Sequence, residues 1–236
     1  MHKPYKWILR GLSILLLVSL IGLMIIMIFT YEALPDAKDV RNLDLVRLEN
    51  GVYILEPDNY EANIVIYQGG LVQTESYLIL AYLLQEEGFR VFLPKMPLNL
   101  AILNRDVISE IKEDHPSALE WIGIGHSLGG ASLSFVADQL DALIFLGSYP
   151  ASSQDLSGFD IRVLSITAEF DNVLNRDNYN DTKTLLPSET VFIEIKGGNH
   201  ANFGYYGNQR GDGQVTISRD VQHEETVDLI KDFIRE

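Results

Sequence analysis

The chain has no cysteine among its 236 residues. It can therefore form no disulfide, bind no metal through a thiolate and use no thiolate as a nucleophile, and its redox compartment is undetermined. Basic residues are also scarce, because 18 Lys and Arg stand against 33 Asp and Glu. An acidic surface without a basic stripe argues against nucleic acid as a partner and against attraction to anionic lipid headgroups.

Motifs for metals and nucleotides are missing as well. No HExxH, CxxC, EF-hand or Walker pattern occurs, so the sequence implies no metal and no cofactor. Repeats and low-complexity tracts are also absent from the sequence. The length and an apolar content of 47% predict one folded domain of the larger single-core kind.

An uncharged, mostly aliphatic run occupies residues 11–31. Its length suffices for a helix to cross a hydrocarbon core of ~30 Å. Because Lys3, Lys6 and Arg10 precede it, the positive-inside bias predicts a cytoplasmic segment over 1–10 and a single-pass signal anchor in the cell membrane. A cleaved signal peptide is the alternative, although its apolar region is usually only ~7–15 residues long and TYEALPDA offers no convincing A-x-A site.

The part of the chain after the anchor is predicted to lie outside the cytoplasm. Residues 32–44 are interpreted as a polar tether and residues 45–236 as the catalytic domain. Without the three leading basic residues this part has 15 Lys and Arg against 33 Asp and Glu, a net charge of −18. Such a charge is typical of a soluble domain held near a membrane only by its anchor.

Strand-like and helix-like runs alternate along residues 45–236. Asn50-Gly51 tolerates positive φ and predicts a tight hairpin turn at the start. The later predicted strands are IVIY, FRVFLP, WIGIG, ALIFLG, IRVLSIT and TVFIEIK, with helices between most of them and one after the last. This order predicts the α/β class, with a mostly parallel, doubly wound sheet behind a leading antiparallel hairpin. Reactive groups then belong at the carboxyl ends of the strands.

Gly125-His126-Ser127-Leu128-Gly129 matches G-x-S-x-G at the junction of a strand-like and a helix-like run. Glycine two residues before and after the serine suits a sharp bend that lifts a nucleophilic hydroxyl clear of the sheet. The alternative is a glycine turn whose serine only caps the helix.

A nucleophilic serine needs a base that a third group orients. His200 follows the last predicted strand and is the candidate base. The other histidines are placed elsewhere: His2 precedes the anchor, His115 lies at the opposite end of the sheet, and His126 directs its side chain away from that of the serine. His223 is interpreted as a solvated surface residue of the last helix.

The acid and the oxyanion donors are predicted to lie at the same edge of the sheet as Ser127 and His200. Asp171 comes after a predicted strand and is the candidate acid, with Glu169 as the alternative. The backbone amides of Leu71 and Leu128 are predicted to form the oxyanion hole, with Gly70 setting the bend of its loop. A plain strand-ending turn is the alternative for that loop.

Two further segments are predicted to contact the substrate. Lys95 and Asn99 follow a strand at its carboxyl end, although Asn99 also suits a helix N-cap and Lys95 a solvated charge. Phe203 and Tyr205 lie in the long loop 199–219 beside the candidate base, and long ordered loops are usually functional.

These motifs resemble the α/β-hydrolase superfamily. The likeness covers residues 45–236 through the leading hairpin, GHSLGG, AEFDNV and GGNH. The chain departs from the family at Ala168, where a glycine is common, and in lacking the HGGG loop of lipases. Dienelactone hydrolases are similar in size but use cysteine, so Ser127 argues against that activity. PKMPLNLAIL with GGNHANFGYYGNQRGDG resembles a bacterial subgroup of small, membrane-anchored members, and the short connection between Leu146 and Ile161 implies no large lid.

The function predicted from these residues is that of a serine hydrolase. Ser127, His200 and Asp171 would cleave a small-molecule carboxylic ester or thioester through an acyl-enzyme. Peptidases and acyltransferases use the same groups. The alternative from another class is a catalytically silent domain of the same fold that acts as a membrane-anchored binding module. A third hypothesis is recruitment to a membrane complex in which hydrolysis is incidental.

Overall fold

The computed structural model describes residues 5–236. The chain divides into two compact units, of which the first ends at Thr30 and the second spans Tyr31–Glu236. A search of the described residues finds no helix with both the length and the apolarity needed to cross a membrane, so the span predicted over 11–31 is not confirmed. Residues 1–4 of the predicted cytoplasmic segment lie outside the described residues.

The second unit is built on a sheet of eight strands in the order β1-β2-β4-β3-β5-β6-β7-β8. The strands are β1 (Val46–Glu49), β2 (Val52–Leu55), β3 (Asn63–Tyr67), β4 (Arg90–Pro94), β5 (Trp121–His126), β6 (Ala142–Leu146), β7 (Arg162–Ala168) and β8 (Val191–Ile195). Strand β2 pairs antiparallel with β1 and β4, and all other pairs are parallel. The predicted fold class is confirmed.

The leading hairpin forms where the sequence predicts it. Asn50 and Gly51 adopt φ angles of 48° and 81° between β1 and β2, and Val46 pairs with Leu55. Positive φ at both central residues is the condition for the two-residue turn that matches the twist of the strands. The turn chemistry therefore sets the register of the hairpin.

Helices cover both faces of the sheet. The α-helices of the second unit are α2 (Pro35–Val40), α3 (Leu78–Glu86), α4 (Val107–Asp114), α5 (Leu128–Leu133), α6 (Arg176–Thr182) and α7 (Arg219–Arg235), and α1 (Tyr5–Phe29) belongs to the first unit. Along β3, Ile64 and Ile66 pack in the core under α3 and α7, while Val65 and Tyr67 pack in the core under α4 and α5. Because both side-chain rows of the strand are buried, its sequence is a continuous apolar run.

The segment predicted as a tether is folded onto the domain. Residues 31–34, here called the leading segment, precede α2, and Ala33 and Ala37 are buried against Tyr205. Part of the tether predicted over 32–44 is therefore packed against the domain. Two alanines carry little apolar surface, so the short polar sequence gave no sign of burial.

Backbone hydrogen bonds hold the leading segment between two loops. Tyr31 N–H donates to the Leu71 carbonyl at 2.7 Å, and its own carbonyl accepts from Gln73 N–H at 3.0 Å. Leu34 N–H donates to the Tyr205 carbonyl at 2.8 Å. The segment thus joins the loop after β3 to the loop after β8.

His223 is buried, which corrects its predicted place on the surface. Only 2% of the residue is exposed, because the ring of Tyr205 covers the imidazole with a centroid distance of 4.7 Å. Burial, with a smaller contribution from the positive charge of Arg219, lowers the pKa of His223 from 6.5 to about 3. The acidic residues next to His223 indicated a solvent-exposed position. The sequence pattern did not predict that the loop containing Tyr205 folds back over α7.

We expect His223 to make stability depend on pH. Between about pH 3 and 6.5 the unfolded chain binds a proton that the folded chain does not, so the free energy of unfolding falls as the pH falls through this window. One such group contributes a slope of ~1.4 kcal/mol per pH unit. The variant His223→Gln should lower the slope by about this amount in urea unfolding measured from pH 4 to pH 7, while the contribution of the other fully buried histidine, His126, remains. His115→Gln, at a half-buried histidine, should change the slope less. An unchanged slope in His223→Gln would contradict the assignment.

Candidate active site

Ser127 lies at the bend between β5 and α5. Its φ of 51° and ψ of −120° are sparsely populated by residues with a side chain, and such strain persists only where neighbours enforce it. Ser127 N–H donates to the Leu146 carbonyl at 3.0 Å, and its carbonyl accepts from the Ser148 hydroxyl at 2.5 Å. Strand β6 and the loop after it therefore hold the serine in this conformation.

The two glycines of G-x-S-x-G are required by close contacts. A Cβ atom at Gly125 would lie 2.3 Å from the Cα atom of Gly130. A Cβ atom at Gly129 would lie 2.1 Å from the carbonyl oxygen of Tyr67. Both distances are far inside van der Waals contact, so only glycine permits the helix to pass this close to β3 and β5.

His200 and Asp171 form a buried pair at the carboxyl edge of the sheet. The Nδ1 atom of His200 lies 2.8 Å from Oδ2 of Asp171, and the two side chains are 2% and 0% exposed. The other carboxylate oxygen, Oδ1, accepts from the backbone N–H groups of Val173 at 3.0 Å and Leu174 at 2.8 Å. With Asp171 ionised, this arrangement places the proton of a neutral imidazole on Nδ1 and leaves Nε2 as a base.

The alternative acid, Glu169, does not reach the histidine. Its carboxylate is exposed and accepts from Gly197 N–H at 2.9 Å. Gly147, which follows β6, packs closely against the Asp171–His200 pair. A Cβ atom at Gly147 would lie 2.9 Å from Asp171 Oδ2 and 3.0 Å from His200 Nδ1. The structure therefore pairs Asp171 with His200.

The prediction that the Leu71 amide is an oxyanion donor is wrong. Its N–H group donates to the carbonyl of Asn99 at 2.8 Å, so this amide is already occupied. Within the described part of the chain, the N–H of Gly70 forms no hydrogen bond, and Leu128 begins α5 and has no acceptor in the preceding turn. Gly70 and Leu128 are neighbours, since a Cβ atom on Gly70 would lie 3.1 Å from Leu128 Cδ2. Within the described residues the free backbone donor of this loop is therefore that of Gly70 rather than that of Leu71.

The cavity beside Ser127 has a volume of about 270 Å³. Its walls come from α5 and from the loops after β6, β7 and β8. The lining residues are Ser127, Leu128, Ala131, Gly147, Ser148, Tyr149, Val173, Leu174, Asn175 and His200. Tyr149 and residues 173–175 were missed in the sequence, although their position just after strands β6 and β7 is the signal that could have identified them.

None of the four residues predicted to contact substrate lines this cavity. Lys95 pairs with Glu75 at 3.3 Å, and Asn99 has a φ of 56° and accepts the Leu71 amide, so Asn99 is not a helix cap either. Both line a separate polar cavity. Phe203 is 1% exposed and belongs to the core, and Tyr205 is covered by the leading segment. Their loops were placed correctly at the carboxyl edge, but these side chains turn away from the cavity.

His126 contacts the candidate base, which the sequence did not indicate. Its ring centroid lies 4.5 Å from that of His200, and its Nδ1 atom lies 2.7 Å from the Tyr77 hydroxyl. The imidazole is 1% exposed. It therefore belongs to the wall behind His200 rather than to the cavity.

Asp212 ties the acid loop to the histidine loop. Its Oδ1 atom accepts from the N–H groups of Asn172 at 3.3 Å and His200 at 3.4 Å, and its Oδ2 atom accepts from Ala201 at 2.8 Å. Asn172 directly follows Asp171, so one carboxylate contacts both segments that carry the buried pair.

The chain belongs to the alpha/beta hydrolase family and is a hydrolase by class. The sequence profile of that family matches residues 63–224, more than half of the chain. No curated protein sequence matches this chain.

Solved structures share the fold at low identity. A predicted CIB-like hydrolase from Thermoplasma acidophilum is 13% identical with a TM-score of 0.60, covering 79% of this chain and 98% of its own. A dienelactone hydrolase from Anabaena variabilis is 15% identical with a TM-score of 0.58 and coverages of 78% and 90%. A monoacylglycerol lipase from Paleococcus ferrophilus is 14% identical with a TM-score of 0.57 and coverages of 77% and 99%.

We expect Asp212→Asn to destabilise the domain. The amide keeps the size of the carboxylate but turns one acceptor into a donor that faces a backbone N–H, and leaving buried donors unpaired costs ~1–3 kcal/mol. Chemical denaturation at neutral pH should show a loss of this size. The matched control is Asp181→Asn, whose side chain is exposed, and its free energy of unfolding should stay within ~0.5 kcal/mol of the wild type. Equal stability of the two variants would show that Asp212 does not hold the loops.

Proposed function

We propose that the domain is a serine hydrolase that cleaves carboxylic esters or thioesters through an acyl-enzyme. The observation that carries the proposal is the buried Asp171–His200 pair. Within the described residues Nε2 of His200 has no hydrogen-bond partner, and His200 lines the same cavity as Ser127. A serine hydroxyl is activated as a nucleophile by a neighbouring base that a third group orients. Here Ser127 would be the nucleophile, His200 the base and Asp171 the orienting group.

Each group then has a defined role. The Ser127 hydroxyl attacks the acyl carbon while Nε2 of His200 takes its proton, and the histidine returns that proton to the leaving group as the carbon–oxygen or carbon–sulfur bond breaks. Asp171 keeps the Nδ1 proton in place and stabilises the imidazolium that forms. Water, deprotonated by His200, then attacks the acyl-enzyme and releases the acid and Ser127.

The oxyanion of the tetrahedral intermediate needs donors on the other side of the acyl carbon. We assign the backbone N–H groups of Gly70 and Leu128 to this role, because the amide of Leu71 is bound to Asn99. Removing one oxyanion donor typically costs about 10²–10³ in kcat. A Cβ atom on Gly70 would lie 3.1 Å from Leu128 Cδ2, so a side chain there would press on the residue that carries the other donor.

The walls of the cavity favour a small or medium acyl group. Val173, Leu174 and Ala131 present apolar surface, while Tyr149 and Asn175 supply polar atoms at the same cavity. Pockets of this kind bind the apolar part of a ligand by burial and orient it by a few polar contacts. The monoacylglycerol lipase with the same fold is an example of an ester-cleaving neighbour.

An activity-based probe tests the chemistry directly. A fluorophosphonate should label the full-length protein at Ser127, and Ser127→Ala and His200→Ala should abolish labelling, because the probe requires an activated serine. Ser152→Ala and His115→Ala are controls on an exposed serine and a distant histidine, and both should label like the wild type. A folded wild-type protein that is not labelled would support the binding-module alternative instead.

The location of the domain is a separate proposal that rests on the sequence. We infer that the uncharged run 11–31 anchors the protein in the cell membrane and that the catalytic domain lies on the extracytoplasmic side. The protein should sediment with membranes, resist extraction by salt or carbonate and dissolve in detergent. Recovery of the whole protein in a soluble fraction, or a mature amino terminus near residue 38, would contradict the anchor.

A further inference from the structure

A buried contact joins the candidate base to the candidate oxyanion loop. His126 ends β5, Tyr77 ends a 3₁₀ turn over Thr74–Tyr77, and Gly69 belongs to the loop after β3. The Tyr77 hydroxyl accepts from Gly69 N–H at 2.9 Å and lies 2.7 Å from His126 Nδ1. The His126 ring packs on His200.

The direction of these hydrogen bonds follows from the available protons. Burial raises the pKa of Tyr77, so its phenol keeps its proton. The oxygen already accepts from Gly69, and donation of the hydroxyl proton to His126 Nδ1 satisfies both groups. The His126 proton is thereby assigned to Nε2, which has no hydrogen-bond partner within the described residues.

The surroundings keep His126 neutral. Tyr77 faces the ring from its 3₁₀ turn, and His200 and Tyr206 face it from the segment after β8. Burial, followed by electrostatic repulsion from His200 and more weakly from His223 on α7, lowers the pKa of His126 well below 6.5. A neutral ring next to His200 adds no repulsion when His200 becomes an imidazolium.

The pair is tightly fitted to the loop. A Cβ atom at Gly69 would lie 2.9 Å from His126 Nδ1 and 3.0 Å from the Tyr77 oxygen. Gly69 is followed directly by Gly70, whose amide we assigned to the oxyanion hole. A displacement of Tyr77 or His126 would therefore shift the loop on one side and the ring of His200 on the other.

We propose that Tyr77 and His126 are positioning residues that fix the oxyanion loop and the catalytic base relative to each other. The proposal deepens the proposed function and rests on it for its effect on rate. Neither side chain lines the cavity, so neither acts on the substrate itself. Their role is to hold Gly70 and His200 where both can serve one tetrahedral intermediate.

The test is Tyr77→Phe in the full-length protein. It keeps the ring and removes the hydroxyl, so that Gly69 N–H and His126 Nδ1 both lose their partner. We expect the rate constant of fluorophosphonate labelling, and kcat for a p-nitrophenyl ester, to fall about tenfold, with KM changed less than about twofold. The matched control is Tyr82→Phe on α3, whose hydroxyl forms no hydrogen bond within the described chain, and it should behave like the wild type.

A second readout does not depend on activity. The His200 Nδ1 proton, bound to Asp171, should give a low-field proton resonance, and this resonance should shift or broaden in Tyr77→Phe but not in Tyr82→Phe. An unlabelled wild type with a shifted resonance would refute the proposed hydrolase while supporting the positioning pair. A labelled wild type with equal rates and an equal resonance in Tyr77→Phe would overturn the positioning role and leave the hydrolase intact.

Discussion

The buried carboxylate of Asp171 is the group on which the catalytic edge of the domain depends. A carboxylate without solvent is costly unless hydrogen bonds replace its hydration. Here the amides of Val173 and Leu174 bind one oxygen and His200 binds the other. Satisfying the charge therefore forces the loop after β7 to turn back on itself and brings the loop after β8 against it.

Close contacts restrict the residues at this edge of the sheet. Gly147 has no room for a side chain beside the pair, and Gly129 passes within contact of β3. Packing in such places is decided by excluded volume rather than by attraction, so one methyl group has a large effect. The Asp212 carboxylate adds a second layer, because it binds the backbone on both sides of the Asp171–His200 contact.

Features set by local chemistry were predictable from the sequence, and features set by distant partners were not. The positive φ values of Asn50 and Gly51 follow from residues next to each other in the chain, and the glycines on either side of Ser127 indicated its bend. The occupation of the Leu71 amide depends on a carbonyl from Asn99, nearly thirty residues away, which no periodicity reveals. The burial of His223 likewise depends on how Tyr205 folds back, whereas its acidic neighbours suggest solvent.

The contacts of the leading segment limit how far the domain can be truncated at its amino-terminal end. The chain enters the fold between the loop that carries Gly70 and the loop that carries His200, and it binds the backbone of both. A shortened protein that starts after residue 34 would expose the Leu71 and Tyr205 carbonyls to water and uncover Ala37 and Tyr205. The first residues after Thr30 thus bind the two loops that carry Gly70 and His200. The boundary of the folded unit lies ahead of the first strand by fifteen residues, from Tyr31 to Val46.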